Sequence, residues 1–118
     1  MEQGVSLELE VVGEKGPLYF TGYLAEIPVA TARVFEEAPG VWHVQRVAVK
    51  KAHRGQGLAR ELLTSIEASA REHKINTLTL GAQDQAQTFY KKLGYQVVGE
   101  GFMDAGIAHH RMDKELLS

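Results

Sequence analysis

Residues 47–59 decide the fold, and they read Val47-Ala48-Val49-Lys50-Lys51-Ala52-His53-Arg54-Gly55-Gln56-Gly57-Leu58-Ala59. A β-branched run ends at Val49, two glycines follow, and helix-forming residues continue to Glu72. This order predicts a strand that turns through Gly55 and Gly57 into a helix. Such a turn directs unpaired backbone N–H groups and the positive end of a helix dipole into one small space. That space suits a phosphate group.

The glycine loop, residues 54–57, has more than one interpretation. Gly55 and Gly57 lack a Cβ, so the backbone can take positive φ and an anion can approach the amides, while Arg54 adds a positive charge. A turn that only connects a strand to a helix also favours glycine, and that interpretation stays open. The dinucleotide-binding fingerprint is excluded because Arg60 stands where it needs a small residue. The P-loop is excluded because Leu58 follows Gly57 in place of lysine.

The composition predicts one compact soluble domain, residues 1–118. The chain has 118 residues, is 44% hydrophobic and carries a formal net charge of −2. This charge balance argues against a nucleic-acid partner, because phosphate-backbone binding needs a clustered basic face. No apolar run reaches membrane-spanning length and the first residues lack a basic segment, so we expect neither a membrane partner nor a signal peptide. The chain has no cysteine, which is compatible with the reducing cytoplasm, where we expect the protein.

Short β-prone runs occupy much of the chain. Strands are predicted at residues 18–24, 29–35, 42–49, 75–80, 95–98 and 108–112, with tight turns at residues 26–28 and 39–40. The last two strands are predicted to pair antiparallel through a glycine-containing connection at residues 99–106. Leu7 to Val12 fits either a strand or the last turn of a helix, because apolar and acidic residues alternate there.

Two helices are predicted between these strands. Apolar residues recur at helical spacing and form one face of the first helix: Leu58, Leu62, Leu63, Ile66 and Ala70. Asp84 is predicted to cap a second helix that stops at Gly94. The helical crossover between Val49 and Ile75 implies that the strands on either side of it are parallel. The result is a mixed α/β fold with a ligand site at the carboxyl ends of the parallel strands.

Two ordered blocks resemble the Gcn5-related N-acetyltransferase family. The acetyl-CoA loop of the family reads Gln/Arg-x-x-Gly-x-Gly/Ala after a strand, and Arg54, Gly57 and Ala59 match it. The second block, residues 86–95, reads Ala-Gln-Thr-Phe-Tyr-Lys-Lys-Leu-Gly-Tyr. It is similar to the family's Ala-x-x-aromatic-Tyr-x-x-x-Gly-aromatic segment.

The tail of the chain resembles the ElaA-like subgroup of that family. Residues 102–109 are similar to its Asp-Gly-Ile-Pro-His segment, with Ala108 in place of the proline, and Arg46 matches an arginine of the same pattern. The resemblance implies a central mixed sheet, flanked by helices, whose two central strands splay apart. Relatives usually begin with a strand and two helices, whereas only residues 1–17 precede the first predicted strand here. This N-terminal cap is therefore expected to be reduced or absent.

The resemblance implies acetyl-CoA as a co-substrate and gives no place for a metal. It assigns the pyrophosphate to Arg54, Gly55, Gln56, Gly57, Leu58 and Ala59. It assigns the pantetheine arm to Val47, Ala48 and Val49, to which the arm bonds like an added strand. Gln83 stands where many relatives carry an asparagine that holds this arm, although an ordinary helix N-terminal residue would look the same. His109 and His110 do not form a metal site, because adjacent strand residues point to opposite faces.

The same resemblance implies the catalytic groups. Tyr90 occupies the position of the tyrosine that lies near the cofactor sulfur and donates a proton; the alternative is a packing residue with its hydroxyl at the surface. Many relatives keep a carboxylate on the strand at residues 42–49, but this strand has none. Histidine is the side chain suited to proton transfer near neutral pH, and His43 is the first candidate for the general base, with His109 the second. Arg46 is expected to bind an acidic acceptor or to pair with Asp104.

We therefore expect an N-acetyltransferase that moves the acetyl group of acetyl-CoA to a primary amine of a small molecule or peptide. The transfer is a direct attack within a ternary complex, and a homodimer is compatible with the chain. Two other functions remain open. One is a module that binds CoA or acyl-CoA without turnover. The other is an interaction subunit of the same fold that pairs through exposed sheet edges.

Overall fold

A computed structural model of the chain describes residues 7–13 and 16–116. These residues form seven strands and two α-helices: β1 (Glu8–Val12), β2 (Leu18–Leu24), β3 (Ile27–Ala38), β4 (Val41–Val49), α1 (Leu58–Glu72), β5 (Thr77–Gln83), α2 (Gln87–Lys92), β6 (Gln96–Asp104) and β7 (Ile107–Glu115). Short 3-10 turns at Lys51–His53 and Asp84–Ala86 lead into the two helices. The strands form one sheet in the order β1-β2-β3-β4-β5-β7-β6, which confirms the predicted mixed α/β fold.

The sheet has two antiparallel parts that meet at a short parallel junction. Strands β1 to β4 form an antiparallel meander, and β7 pairs antiparallel with both β5 and β6. Between these parts, β4 pairs parallel with β5 at Val41–Thr77, Trp42–Leu78 and His43–Thr79. Helix α1 connects the two parallel strands, as the sequence predicted.

Both helices pack on one face of the sheet. All five apolar residues predicted for the inner face of α1 are buried. They join alternate strand residues in one core, which includes Phe20, Val34, Val44, Leu78, Leu80 and Met112. Lys114 of β7 donates a 2.7 Å hydrogen bond to Glu67 of α1, so its side chain lies on the helix side of the sheet. Its register partner on β5, Leu78, lies on the same side. We call this the covered face.

The opposite side of the sheet has no helix over it in the described residues. β1 ends at Val12 and β2 begins at Leu18, so β1 passes into β2 through a short connection, and no described helix lies before β2. We call this side the uncovered face, and its residues include Tyr19, Arg33, Phe35, His43, Gln45, Thr79 and Arg111.

The N-terminal strands differ from the prediction at two places. Residues Glu8–Val12 form a strand that pairs antiparallel with β2, which decides between the two structures left open for residues 7–12. The predicted turn at residues 26–28 lies earlier, because Ala25 and Glu26 take positive φ values of 50° and 72°. Ile27 and Pro28 therefore belong to β3, where Pro28 lies opposite Tyr23 at a register shift.

The central elements also differ in two details. β5 begins at Thr77 because the Ile75 N–H bonds the Ala70 carbonyl at the end of α1, at 2.9 Å, before the chain enters the sheet. The predicted capping by Asp84 is wrong, since no side-chain cap bond is formed at either the 3-10 turn or α2. The Asp84 carboxylate instead contacts the side chains of His110, at 2.7 Å, and Gln87, at 3.3 Å.

The β6–β7 hairpin is longer than predicted. Residues 99–104 belong to β6, and the turn is confined to Ala105 and Gly106. Between Val98 and Phe102 the register shifts, so that residues 99–101 lie opposite one residue of β7. A side chain at Gly101 would bring its Cβ within 2.8 Å of the His110 ring, so glycine is needed at this bulge. None of the helices in the two described ranges is long and apolar enough to cross a membrane.

Candidate active site

A cleft opens where β4 and β5 separate. The last residue pair between the two strands is His43–Thr79, and beyond it the paired register ends. A β-bulge bends β4 at this point: Arg46, at φ 57°, and Val47 together lie opposite the single residue Ala32 of β3. The cleft between the separated strands has a volume of about 760 Å³. Since β4 has no β5 partner along this cleft, its backbone groups on that edge can bond a ligand.

The cleft brings together several residues that the sequence singled out. It is lined by His43, Arg46, Val47, Gln83, Tyr90 and His109 from the predicted set. It is also lined by Gly81, Phe102 and Asp104. A Cβ at Gly81 would lie 3.3 Å from the Phe102 ring, so the absence of a side chain keeps this part of the wall open. No ion pair between Arg46 and Asp104 is formed among the described residues, which removes one of the two roles expected of Arg46.

Tyr90 lies in an aromatic cluster at the wall of the cleft. Its half-buried ring meets Phe89 and Tyr95 edge to face, with ring centroids 5.0 Å and 5.7 Å away. Its carbonyl accepts a 3.1 Å hydrogen bond from the Tyr95 N–H, which fixes the end of α2 against the start of β6. Burial raises the pKa of the Tyr90 hydroxyl above its ordinary value. The hydroxyl is therefore protonated, and a hydrogen-bond donor, at neutral pH.

The backbone of the glycine loop has the conformation that the sequence predicted. Gly55 and Gly57 take positive φ values of 81° and 78°, and Gly57 is the N-cap residue of α1. The first helical hydrogen bond runs from the Glu61 N–H to the Gly57 carbonyl, at 3.1 Å. The N–H groups of the first turn of α1 therefore have no intrahelical acceptor and point toward the loop. This is the backbone arrangement that binds phosphate groups.

The side chains of the loop have different roles. Arg54 donates from Nε to the Val49 carbonyl at 3.1 Å, which ties the exposed loop to the end of β4. Leu58 is 2% exposed and belongs to the core, so only its backbone is available to a ligand. Ala48, Val49 and residues 54–59 do not line the cleft; they continue from its β4 wall toward the start of α1.

His43 is held by two residues of the neighbouring strand. Its ring stacks on Phe35, with centroids 5.0 Å apart and planes 10° from parallel. Its Nδ1 lies 2.7 Å from Glu37 Oε1. The hydrogen bond with His43 lowers the pKa of the Glu37 carboxyl, and Arg111 lowers it further against the opposing effect of burial. Glu37 is a residue that sequence reasoning missed, because the search for a carboxylate was confined to the strand that carries His43.

His109 and His110 point to opposite faces of β7. His109 stacks on Phe102, with centroids 5.6 Å apart, and its Nδ1 lies 2.7 Å from the Ile107 carbonyl oxygen. His110 faces the covered side, where its Nδ1 lies 2.7 Å from Asp84. Within residues 7–13 and 16–116, no three acidic or histidine side chains converge in a way that would hold a metal ion.

The profile of the acetyltransferase (GNAT) domain family matches residues 10–116, which includes both walls of the cleft and the glycine loop. The chain belongs to the Gcn5-related N-acetyltransferase family. The chain is also 35% identical over 116 residues to the uncharacterised N-acetyltransferase YjcF of Bacillus subtilis. That match covers 97% of this chain and 82% of YjcF, and a second B. subtilis relative is covered over 65% of its length.

Solved structures have the same fold as this chain. A candidate N-acetyltransferase from Lactobacillus plantarum is 31% identical, with a TM-score of 0.82 over 98% of this chain and 82% of the other. Escherichia coli ElaA is 26% identical, with a TM-score of 0.75 over 88% of this chain and 70% of ElaA, which supports the ElaA-like subgroup. An acetyltransferase from B. subtilis, 14% identical with a TM-score of 0.80 over 95% of this chain and 100% of that one, was solved in complex with CoA. Family and relatives together support acyl transfer as the class of activity.

Proposed function

We propose that this protein transfers the acetyl group of acetyl-CoA to the nitrogen of a primary amine. The observation that carries the proposal is the cleft between the separating strands β4 and β5, which has a free strand edge on one side and Tyr90 on the other. We further propose that residues 1–118 act as one domain. The cytoplasmic location and a homodimer stay predictions.

The cofactor is proposed to lie along β4 and to end at the start of α1. Val47, Ala48 and Val49 offer a strand edge to the amides of the pantetheine arm, and Gln83 lies at the end of β5 on the other side. The positive-φ loop at Gly55 and Gly57, with the backbone N–H groups of α1, receives the pyrophosphate. Arg54 and Gln56 flank this loop, and both are exposed.

Tyr90 is proposed to donate a hydrogen bond, and then a proton, to the departing CoA thiolate. The hydroxyl is neutral at physiological pH because burial disfavours the tyrosinate. A thiol has an ordinary pKa of about 8.5 and a tyrosine of about 10, so the hydroxyl stabilises the thiolate first by a hydrogen bond. Its proton follows as CoA leaves, and solvent restores it.

The attacking amine must be neutral and must lose a proton. Two imidazoles line the cleft, His43 on the β4 side and His109 on the β7 side. In the proposed reaction the amine nitrogen forms a bond to the thioester carbonyl carbon, and the carbon–sulfur bond breaks. One imidazole takes the proton that the amine loses, and the thiolate gains a proton from Tyr90. The products are an amide and CoA.

A CoA-binding protein without turnover is the second candidate, because within the described residues no helix lies over the uncovered face to enclose an acceptor. The two functions differ in one measurement. Incubation with acetyl-CoA and a broad panel of primary amines releases free thiol in an amine-dependent way only if the protein is a transferase. Tight CoA binding with no thiol release on any amine contradicts the proposed transfer and supports the binding module.

The cofactor site is tested first by isothermal titration with acetyl-CoA and with desulfo-CoA. Gly55→Glu places a negative charge in the loop at a position where a Cβ meets nothing within 4 Å. Gly16→Glu is the matched control, because Gly16 has a similar positive φ and an equally open Cβ position but lies in the β1–β2 connection. We expect Gly55→Glu alone to weaken CoA binding, by at least about tenfold. Equal affinities in the two variants would remove the pyrophosphate site from this loop.

A further inference from the structure

Glu37 links the His43 imidazole and the Arg111 guanidinium on the uncovered face. Its Oε1 lies 2.7 Å from His43 Nδ1, and its Oε2 lies 3.0 Å from Arg111. The His43 and Glu37 side chains are only 26% and 30% exposed. Arg111 also donates from Nε to Asp113 at 3.2 Å. Each oxygen of the carboxylate therefore has a partner, and the two contacts hold the carboxylate in one orientation.

The strand register explains why these residues meet. Phe35 of β3 is the register partner of His43. Glu37 follows two residues later, at a register shift between Glu36 and Ala38, and its contact with His43 puts its side chain on the uncovered face. Arg111 reaches Glu37 from β7, on the far side of β5. The imidazole is thus stacked on Phe35 and bonded through Nδ1 at the point where the cleft begins.

This arrangement decides which ring nitrogen of His43 carries the proton. Glu37 is ionised at neutral pH, because the hydrogen bond with His43 and the Arg111 charge lower its pKa. An ionised carboxylate only accepts hydrogen bonds, so Nδ1 of the neutral imidazole must donate. Nε2 then keeps its lone pair, and His43 lines the cleft. The ring is in the form that accepts a proton from a bound amine.

His109 lacks the same support. Its Nδ1 bonds the carbonyl oxygen of Ile107, which also leaves Nε2 free, but a carbonyl is neutral. When an imidazole takes a proton it becomes a cation, and an adjacent carboxylate stabilises that cation far better than a carbonyl does. Of the two imidazoles that line the cleft, only His43 has a carboxylate on its far nitrogen.

We propose that Glu37 is a positioning residue that makes His43, and not His109, the general base for the amine. This inference rests on the proposed acetyl transfer. The amine N–H proton moves to Nε2 of His43 as the carbon–nitrogen bond forms, and the Nδ1 proton stays hydrogen-bonded to Glu37 throughout. Arg111 keeps the carboxylate in place. Because the amine attacks the thioester carbonyl carbon directly, the transfer requires no protein nucleophile.

Several charged groups surround the imidazole from the elements packed against it. β3 provides Glu37 and Arg33, and Arg33 is hydrogen-bonded to Gln45. β7 provides Arg111 and Asp113, and β5 contributes only the uncharged Thr79 at this position. Glu37 is the one carboxylate among them that contacts the ring directly, so its removal has a specific electrostatic effect on protonated His43.

The test compares Glu37→Gln with Glu36→Gln, which removes the same charge one residue away, where Glu36 bonds only the Gly40 N–H. With an amine identified by thiol release, we expect kcat/KM at neutral pH to fall about tenfold or more in Glu37→Gln. We also expect the acid limb of its pH profile to move to lower pH, because the protonated ring has lost its carboxylate. The KM of Glu37→Gln for acetyl-CoA should match that of the wild type. The pH profile of Glu36→Gln should also match that of the wild type. His43→Gln should lose more activity than His109→Gln.

A second measurement needs no substrate. Nitrogen-15 NMR of the wild-type imidazoles should show His43 as the Nδ1–H tautomer, and Glu37→Gln should shift that population. A wild-type His43 with the proton on Nε2 overturns the inference. So does a Glu37→Gln pH profile identical to that of the wild type, while acetyl transfer itself would stand. Absence of turnover on every amine, with the expected tautomer, instead removes the proposed function and the base role with it.

Discussion

The two faces of the sheet do different work. The covered face contains nearly the whole apolar core, including Phe20, Ile66 and Met112, all at 0% exposure. The uncovered face carries a polar layer of stacked rings, carboxylates and guanidinium groups, such as Tyr19 at 49% exposure. Stability is therefore concentrated on one side of the strands, and the groups suited to proton transfer on the other. The buried core and the groups suited to proton transfer meet at the cleft between β4 and β5.

The largest expected effect is on stability, and it tests whether the covered face contributes more to the free energy of unfolding than the uncovered face does. Ile66→Ala removes three buried methyl or methylene groups from the covered face and should lower the free energy of unfolding by about 2–5 kcal/mol. Tyr19→Ala removes a larger side chain from the uncovered face and should cost less than about 1 kcal/mol, because much of that ring stays in water when the chain folds. Urea denaturation of both variants measures the difference. Equal losses would break the comparison, since they would mean that the polar layer also holds the fold together.

The next effect is on turnover, at the boundary between the faces. Tyr90→Phe keeps the ring against Phe89 and Tyr95 but removes the hydroxyl, and we expect kcat to fall on the order of 100-fold with little change in CoA affinity. Tyr95→Phe is the matched control: that ring is 3% exposed and lies outside the cleft. Because burial raises the pKa of Tyr90, its ionisation should not limit activity below about pH 10. Wild-type turnover by Tyr90→Phe would make Tyr90 a packing residue.

The smallest effect concerns Thr79, a fully buried side chain on the uncovered face. Thr79 is 0% exposed, and its hydroxyl has no hydrogen-bond partner among the described residues. Thr79→Val replaces that hydroxyl with a methyl group of similar shape and should raise the free energy of unfolding by about 1 kcal/mol. Thermal melting should show this as an increase in Tm of roughly 4 °C. A lower Tm would show that the hydroxyl makes a bond within the polar layer.

The sequence predicted those parts of the fold that local patterns encode. Glycine at 55 and 57 permits positive φ, and the helical spacing of Leu58 to Ala70 identifies the buried stripe; both predictions are confirmed. The start of β5 and the bulge at residues 99–101 were missed, because residue type does not encode them. The Ile75 N–H bonds the Ala70 carbonyl at the end of α1, and the bulge brings Gly101 close to the His110 ring of the neighbouring strand.

The candidate site divides in the same way. Tyr90, His43 and His109 were named from motif position or residue type, and the structure brings them into one cleft, although their roles stay predictions. Glu37 and Arg111 had no local signal. Glu37 is one of two adjacent glutamates near a strand end, which is typical of a solvated surface, and Arg111 is 74 positions further along the chain (111 − 37). They meet at the imidazole only because of the register of β3 against β4 and because Arg111 reaches across from β7, on the far side of β5.

The short junction between β4 and β5 has a consequence for dynamics. Only three residue pairs join the antiparallel meander to the β5–β7–β6 part of the sheet, and parallel pairs are slightly weaker than antiparallel ones. Amide hydrogens beside this junction should therefore exchange with solvent through local opening at a lower free energy than those at the centre of the meander. A ligand arm hydrogen-bonded along β4 would occupy the gap between β4 and β5 as an added strand and would stabilise the junction between the two parts of the sheet. At a concentration 100 times its Kd, such a ligand stabilises the whole protein by about 2.7 kcal/mol, so the cofactor would also be a structural part of the sheet.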